Sequence, residues 1–230
     1  MIFGIIFLFS ITCCGFTYGL APCTGDWELV YHAVSGNGQN FMDTWQKKFT
    51  KKCDLFTDNC QCYYREGCLS PKLRMETLGV VSRKILRSPK IDYWKCLNIQ
   101  KVRMELNKGG KTVAFIEFNG KGSNFMNWFH RSRVMRSSYI DLRRNGRFNV
   151  FSMKKEQRHG RHFYINRSYG GCHKDNGWLV VMDAKGSKPC HWERQKRYPQ
   201  FLYSKHHKRG RWQGMGYGKA DVLNIYIRRG

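Results

Sequence analysis

Residues 100–106 (QKVRMEL) alternate without a break: Val102, Met104 and Leu106 are apolar, and Lys101, Arg103 and Glu105 are charged. In an extended strand a period of two sends successive side chains to opposite faces, so one face is written for a core and the other for water. Asn107-Lys108-Gly109-Gly110 then supplies turn residues, and residues 111–118 (KTVAFIEF) return, which predicts a β-hairpin. Shorter runs of β-formers recur at 27–34 (WELVYHAV), 148–153, 162–166, 178–183 and 222–227. Two brief helices are expected beside them. Phe41, Trp45 and Phe49 stand four apart behind Asn40 as N-cap, and residues 123–135 follow Ser123 or Asn124 as a second cap. Many short strands, two short helices and glycine turns predict a mainly β fold, an antiparallel β-sandwich or jelly-roll-like architecture.

The start of the chain bears on where such a fold would live. Residues 2–11 (IFGIIFLFSI) carry no charge, and Thr17-Tyr18-Gly19 offers small residues at the −3 and −1 positions of a cleavage site. The run falls short of the roughly 20 apolar residues that span a bilayer. Residues 1–19 are expected to be a signal peptide, against the rival of a buried N-terminal core segment. Residues 20–230 then form a single cysteine-rich, basic extracellular domain, released rather than anchored.

Cys13 and Cys14 leave with that leader, and eight cysteines remain: Cys23, Cys53, Cys60, Cys62, Cys68, Cys96, Cys172 and Cys190. An even number in an oxidising compartment argues for disulfides. Cys172 and Cys190 flank the apolar run 177–182 alone in the C-terminal half, and they are expected to pair. Cys60 and Cys62 are too close to bond each other, so each should find its own partner among Cys23, Cys53, Cys68 and Cys96. The rival for Cys53, Cys60, Cys62 and Cys68 is zinc, but their spacing matches no common zinc module. No metal and no cofactor is expected.

Charge points to the partner. Forty-one Lys and Arg face sixteen Asp and Glu, a formal net charge of +25. The cations cluster at 47–52, 131–136, 143–147, 154–161 and 194–211. Such an excess repels itself in the folded state and favours polyanions through many weak, salt-sensitive contacts. Density singles out Arg143, Arg144, Arg147, Lys205, Lys208, Arg209 and Arg211 as polyanion-binding candidates. The fitting partners are acidic matrix proteins, sulfated or carboxylated polysaccharides and the anionic face of a carbonate mineral. Nucleic acid is disfavoured, because the chain reads as exported and carries no nucleic-acid-binding module. Sparse, scattered acids also argue against calcium capture, which wants several carboxylates at once.

Other features carry bland rivals. Trp192, Tyr198, Phe201, Tyr203, Trp212 and Tyr217 interleave with cations, as stacking platforms do, but core packing explains most of them. His159, His162, His191, His206 and His207 supply acid–base ingredients in no recognisable catalytic arrangement: there is no G-x-S-x-G, no H-E-x-x-H and no Cys–His nucleophile context. The expectation is a protein without enzymatic activity. Asn166-Arg167-Ser168 is the chain's one N-x-S/T sequon, making Asn166 a glycosylation candidate and the chain a candidate glycoprotein. Tyr169-Gly170-Gly171-Cys172 beside it reads as a tight turn.

The strings WELVYHAVSGNGQN, GSNFMNWFHRSRVMRSS with Asp141-Leu142, RHFYINRSYGGCHKDNGWLVVMD, PCHWE and ADVLNIYI resemble a recurring domain of secreted invertebrate proteins. The resemblance is to uncharacterised organic-matrix proteins of mollusc shells and related skeletons, and it runs from about residue 27 to residue 227. It brings no catalytic or ligand residues with it. This chain departs from the pattern in its high basicity and in its dense cysteines between Cys53 and Cys68. The resemblance implies a disulfide-locked structural protein of a mineralised extracellular matrix, binding acidic macromolecules or carbonate surfaces. A lectin-like or defence protein recognising anionic glycans is the alternative, and a basic secreted nuclease comes third.

Overall fold

A computed structural model describes residues 27–46 and 85–230 of the chain. β1 (Glu28–Val34), α1 (Phe41–Gln46) and β2 (Leu86–Arg87) lead into a 3-10 helix at Pro89–Cys96. The hairpin β3 (Ile99–Lys108) and β4 (Lys111–Asn119) follows, then β5 (Val134–Ser137) and β6 (Val150–Ser152). β7 (Arg161–Ser168), β8 (Asn176–Met182), β9 (Gln200–Ser204), β10 (Gly210–Arg211), β11 (Tyr217–Ala220) and β12 (Val222–Arg229) complete the series. All strand pairing among the described residues is antiparallel. Sheet one runs β2-β1-β12-β3-β4-β5; sheet two runs β11-β9-β8-β7-β6, with β10 also on β8. The expected mainly β sandwich, with its disulfide, is the observed fold.

The β3–β4 hairpin shows how directly the sequence pattern acts. Gly109 and Gly110 take φ of 54° and 73°, the doubly left-handed turn that matches strand twist and that side-chain-bearing residues resist. Val102, Met104 and Leu106 then fall on the buried face, opposite Phe118, Ile116 and Ala114 of β4. That face meets sheet two across one apolar core. Phe118 lies against Phe151 of β6, and Phe41 of α1 lies against Phe163 of β7 and Phe201 of β9. Phe163 reaches this core from a backbone with φ of 44°, at a point where β7 and β8 fall out of register. An aromatic side chain rarely adopts that conformation, and here the packing of Phe163 against Trp45, Trp128 and Phe129 holds it.

α1 starts where expected. Asn40 accepts the Asp43 amide on its side chain (2.8 Å), and Asp183, just beyond β8, accepts the next two free amides, from Phe41 (2.7 Å) and Met42 (2.9 Å). Phe49 lies outside the described residues. The second helix is not at residues 123–135. There Asn124 closes a turn by accepting the amides of Met126 and Asn127, a single 3-10 turn follows at Arg131–Arg133, and Val134 opens β5. Arg133 donates to the carbonyls of Asn119 and Lys121, and Val134 is already paired with Phe118. The demand of β4 for an edge partner therefore wins over local helical spacing. The longer helix beside α1 is the 3-10 helix at Pro89–Cys96, capped by Ser88. β9 and β11 were hidden inside a stretch that read as cationic and aromatic.

Candidate polyanion-binding face

The loop after β5 and the loop after β9 come from different sheets, and the structure ties them together. Tyr139 is buried and donates its hydroxyl to the Trp178 carbonyl at 2.9 Å. The Trp178 indole donates to Asp141 at 2.6 Å, and Asp141 also accepts the Arg209 amide at 3.1 Å. Between them the Ile140 amide donates to the His207 carbonyl at 2.7 Å. One carboxylate and one core tryptophan therefore organise both loops.

This juxtaposition gathers all seven cation candidates onto two abutting loops. Arg143, Arg144 and Arg147 come from the first, and Lys205, Lys208, Arg209 and Arg211 from the loop and short strand beside it; every one is exposed. Residues 138–149 and 205–211 contain Asp141 as their single acid, and Arg209 reaches it at 3.4 Å. Arg144 is partly fixed by donating to the Val134 carbonyl at 2.6 Å. The patch continues onto the edge of sheet one. Ser138 exchanges hydrogen bonds with the Phe115 backbone, and the Phe115 ring carries the guanidinium groups of Arg103 and Arg136 at 4.1 and 5.3 Å. Several guanidinium forks on a pinned surface suit carboxylate, sulfate and carbonate oxygens, which Arg grips at two points.

The remaining sequence-derived candidates sort clearly. Cys172 and Cys190 are bonded, with an S–S distance of 2.09 Å and Cα atoms 5.3 Å apart. Cys96 ends the 3-10 helix, whereas Cys23, Cys53, Cys60, Cys62 and Cys68 lie outside the described residues. Asn166 is a correction. Its side chain is fully buried, its oxygen accepting from the Trp212 indole at 2.8 Å and its nitrogen donating to the Ser168 carbonyl, so the folded domain leaves no room for a glycan there. The turn at Gly170-Gly171 is present, with Gly171 at φ 79°. Trp192, Phe201, Tyr203 and Trp212 are core residues rather than exposed platforms, and Tyr198 and Tyr217 pack at the margin of the second cluster.

The histidines do not converge. His159 bonds the Ser187 hydroxyl, His207 faces the Ser138 carbonyl at 3.3 Å, and His162 is buried with Nε2 3.4 Å from Asp183. Burial lowers His162 to about 4, and Lys188 and Lys154 push the same way. Burial also raises Asp183 to about 6, against the pull of the Met42 and Phe41 amides. Asp183 docks α1 through the Phe41 and Met42 amides, with His162 beside it. Among the described residues no three His, Cys, Asp or Glu side chains gather as a metal site, and no helix is long and apolar enough to cross a membrane.

A separate cleft of about 490 Å³ opens at the far end of the β3–β4 hairpin from its turn, bordered by Trp94, Lys95, Asn98, Gln100, Lys121 and Asn124. Its Trp94 indole is buried and donates to Ser123 at 3.0 Å, so no ring is free there to stack on a sugar.

Sequence reading found the cations of the main face but missed Asp141 as their organiser. The available signal was a lone acid inside a cationic run. No protein-family model, curated protein or solved structure matches the chain.

Proposed function

We propose that this is a secreted, non-enzymatic binding protein of an extracellular, mineralised matrix, and that it captures acidic macromolecules or carbonate surfaces through its basic loops. The observation that carries the reading is the stitching of two cationic loops through Asp141, Trp178 and His207. Cations scattered for solubility need no such scaffold. A face whose loops are held in place before binding loses less backbone freedom when an anion arrives. The resemblance to shell-matrix proteins supports the mineralised setting.

The test is retention of the purified, oxidised protein on heparin and on polyaspartate at low ionic strength. The expected result is binding to both, released by salt, with log affinity falling linearly against log salt as contacts to several anionic groups dictate. Passage straight through both columns overturns the reading. Peptides in demineralised shell extract support the matrix setting, and peptides confined to haemolymph or mucus contradict it.

A second reading, lectin-like recognition of an anionic glycan, draws on the hairpin cleft, where the amides of Asn98, Gln100 and Asn124 stand beside Lys95 and Lys121. Saturable glycan binding that is insensitive to salt, and lost on Asn98→Ala with Gln100→Ala, would favour it.

A further inference from the structure

We propose that Ile140 is the inserting tip of a docking surface for anionic lipid bilayers. The proposal rests on the reading of the surrounding face as anion-binding and adds to it a specific partner.

The argument begins with what holds Ile140 outside. Its side chain is 74% exposed, which among the large hydrophobic residues described is exceeded by Met215 at 89%. Ile140 has no freedom to tuck away. Its own amide is held by the His207 carbonyl, Tyr139 before it is buried and bonded to the Trp178 carbonyl, and Asp141 after it is bonded to the Trp178 indole. Trp178 itself belongs to the main core. Turning Ile140 inward would break bonds on both sides, and its branched side chain has few rotamers to offer instead. The loop therefore presents an apolar point in water, on purpose-built supports.

The surroundings say what that point would enter. Arg143 and Arg144 stand three and four positions after Ile140, Lys208 and Arg209 lie on the loop bonded to it, and Arg136 and the half-exposed Met135 occupy the adjoining edge strand β5. An apolar tip with cations on its own loop, on the loop bonded to it and on the adjoining strand matches the layering of an anionic bilayer, in which charged headgroups overlie acyl chains. Each Lys or Arg brought to such a surface strengthens partitioning roughly fivefold, and the buried side chain adds to that. Sulfated polysaccharide and polyaspartate offer the charge without the apolar layer. Ile140 thus separates the two kinds of partner, because bilayer binding uses it and polyanion binding does not.

The experiment is co-sedimentation with phosphatidylcholine vesicles with and without phosphatidylserine, run beside heparin retention. The wild-type protein is expected to bind only the phosphatidylserine vesicles. Ile140→Ser should lose vesicle affinity by about fivefold to tenfold while eluting from heparin at the wild-type salt concentration. Ile140→Trp should bind the vesicles and be quenched by brominated acyl chains beyond the background set by the seven native tryptophans, while still eluting from heparin at the wild-type salt concentration, which a misfolded variant would not do. Wild-type vesicle affinity in Ile140→Ser, or an unquenched Ile140→Trp, overturns the proposal. Heparin retention without vesicle binding by the wild type overturns it too, but leaves the polyanion reading standing; loss of both removes both.

Discussion

The two sheets treat their outer faces in opposite ways. On sheet one, Arg103 bridges Glu105 at 2.7 Å and Glu117 at 2.6 Å on the β3–β4 hairpin, with both glutamates buried and no aromatic roof over them. Arg136, two-thirds exposed, joins the same network. On sheet two the outer face is roofed. Tyr164, Val180, Met182 and Leu202 lie beneath Trp192 and Trp212, whose rings stack 5.6 Å apart, with Cys190 in the same cluster. Arg161 and Glu193 form an ion pair under that roof, and the other Glu193 oxygen accepts the Cys190 amide at 2.7 Å. The difference has a functional consequence. Sheet one's face is complete in a single hairpin, but sheet two's roof is made from the long segments after β8 and β9. One of these segments carries Lys205, Lys208, Arg209 and Arg211, so the proposed binding face leans on the second core.

Removing half of the buried pair should have the largest effect. Glu193→Ala leaves Arg161 only the longer contact to Glu156, at 4.0 Å, in a site closed by aromatic rings, and it should cost about 3 kcal/mol in urea unfolding. A loss under about 1 kcal/mol would mean that Glu156 replaces the lost partner, and the contrast between the faces would fail. Replacing both Cys172 and Cys190 by Ser frees a segment with a sequence separation of 18, and should cost about 3 kcal/mol with weaker heparin retention. Unchanged retention would detach the binding face from the roof.

The seam between the sheets sharpens the comparison through pH. His162 sits at about 4 against an ordinary 6.5, so its contribution to stability is lost as pH falls from 6.5 toward 4. Asp183 sits at about 6 against an ordinary 3.8, so it binds its proton more readily when folded, and its contribution grows as pH falls through the same window. The two offset each other. Relative to wild type, Asp183→Asn should make stability rise with pH between 4 and 6, with a slope approaching about 1.4 kcal/mol per unit. His162→Gln should make it fall with rising pH. Two variants with wild-type pH profiles would contradict this balance. The smallest effect belongs to sheet one. Arg103→Ala should cost about 1 kcal/mol, because Thr112 still donates to Glu105 and Arg136 still reaches Glu117 after the change.

How much of this was legible depends on the range of the interaction. Strict alternation at 100–106 and the Gly109-Gly110 turn are local, and they translate directly into the hairpin. The Asn40 cap of α1 and the Cys172–Cys190 pair were legible for the same reason: neighbours in sequence decide them. Residues 123–135 misled because their spacing is helical while their fate is set by β4, which pairs with Val134. Asn166 misled because a three-residue sequon says nothing of Trp212, whose indole claims the side chain from 46 residues away. At the candidate face, composition located the seven cations. It gave no hint that Asp141 joins a β5 loop to a β9 loop, because a contact across 68 residues leaves no periodic trace.

The most direct test of the central claim is a charge-matched comparison of heparin affinity between the two loops and the surface around the β3–β4 hairpin. Arg143, Arg144 and Arg147 are changed together to Ser in one variant, and in another the exposed Lys108 and Lys111 at the hairpin turn together with Lys121 just after β4. Both lose the same net charge. A stitched, preformed face predicts that the first variant elutes from heparin at clearly lower salt while the second stays close to wild type. Equal losses in the two would show that bulk charge alone binds the polyanion and that the loops are not a site.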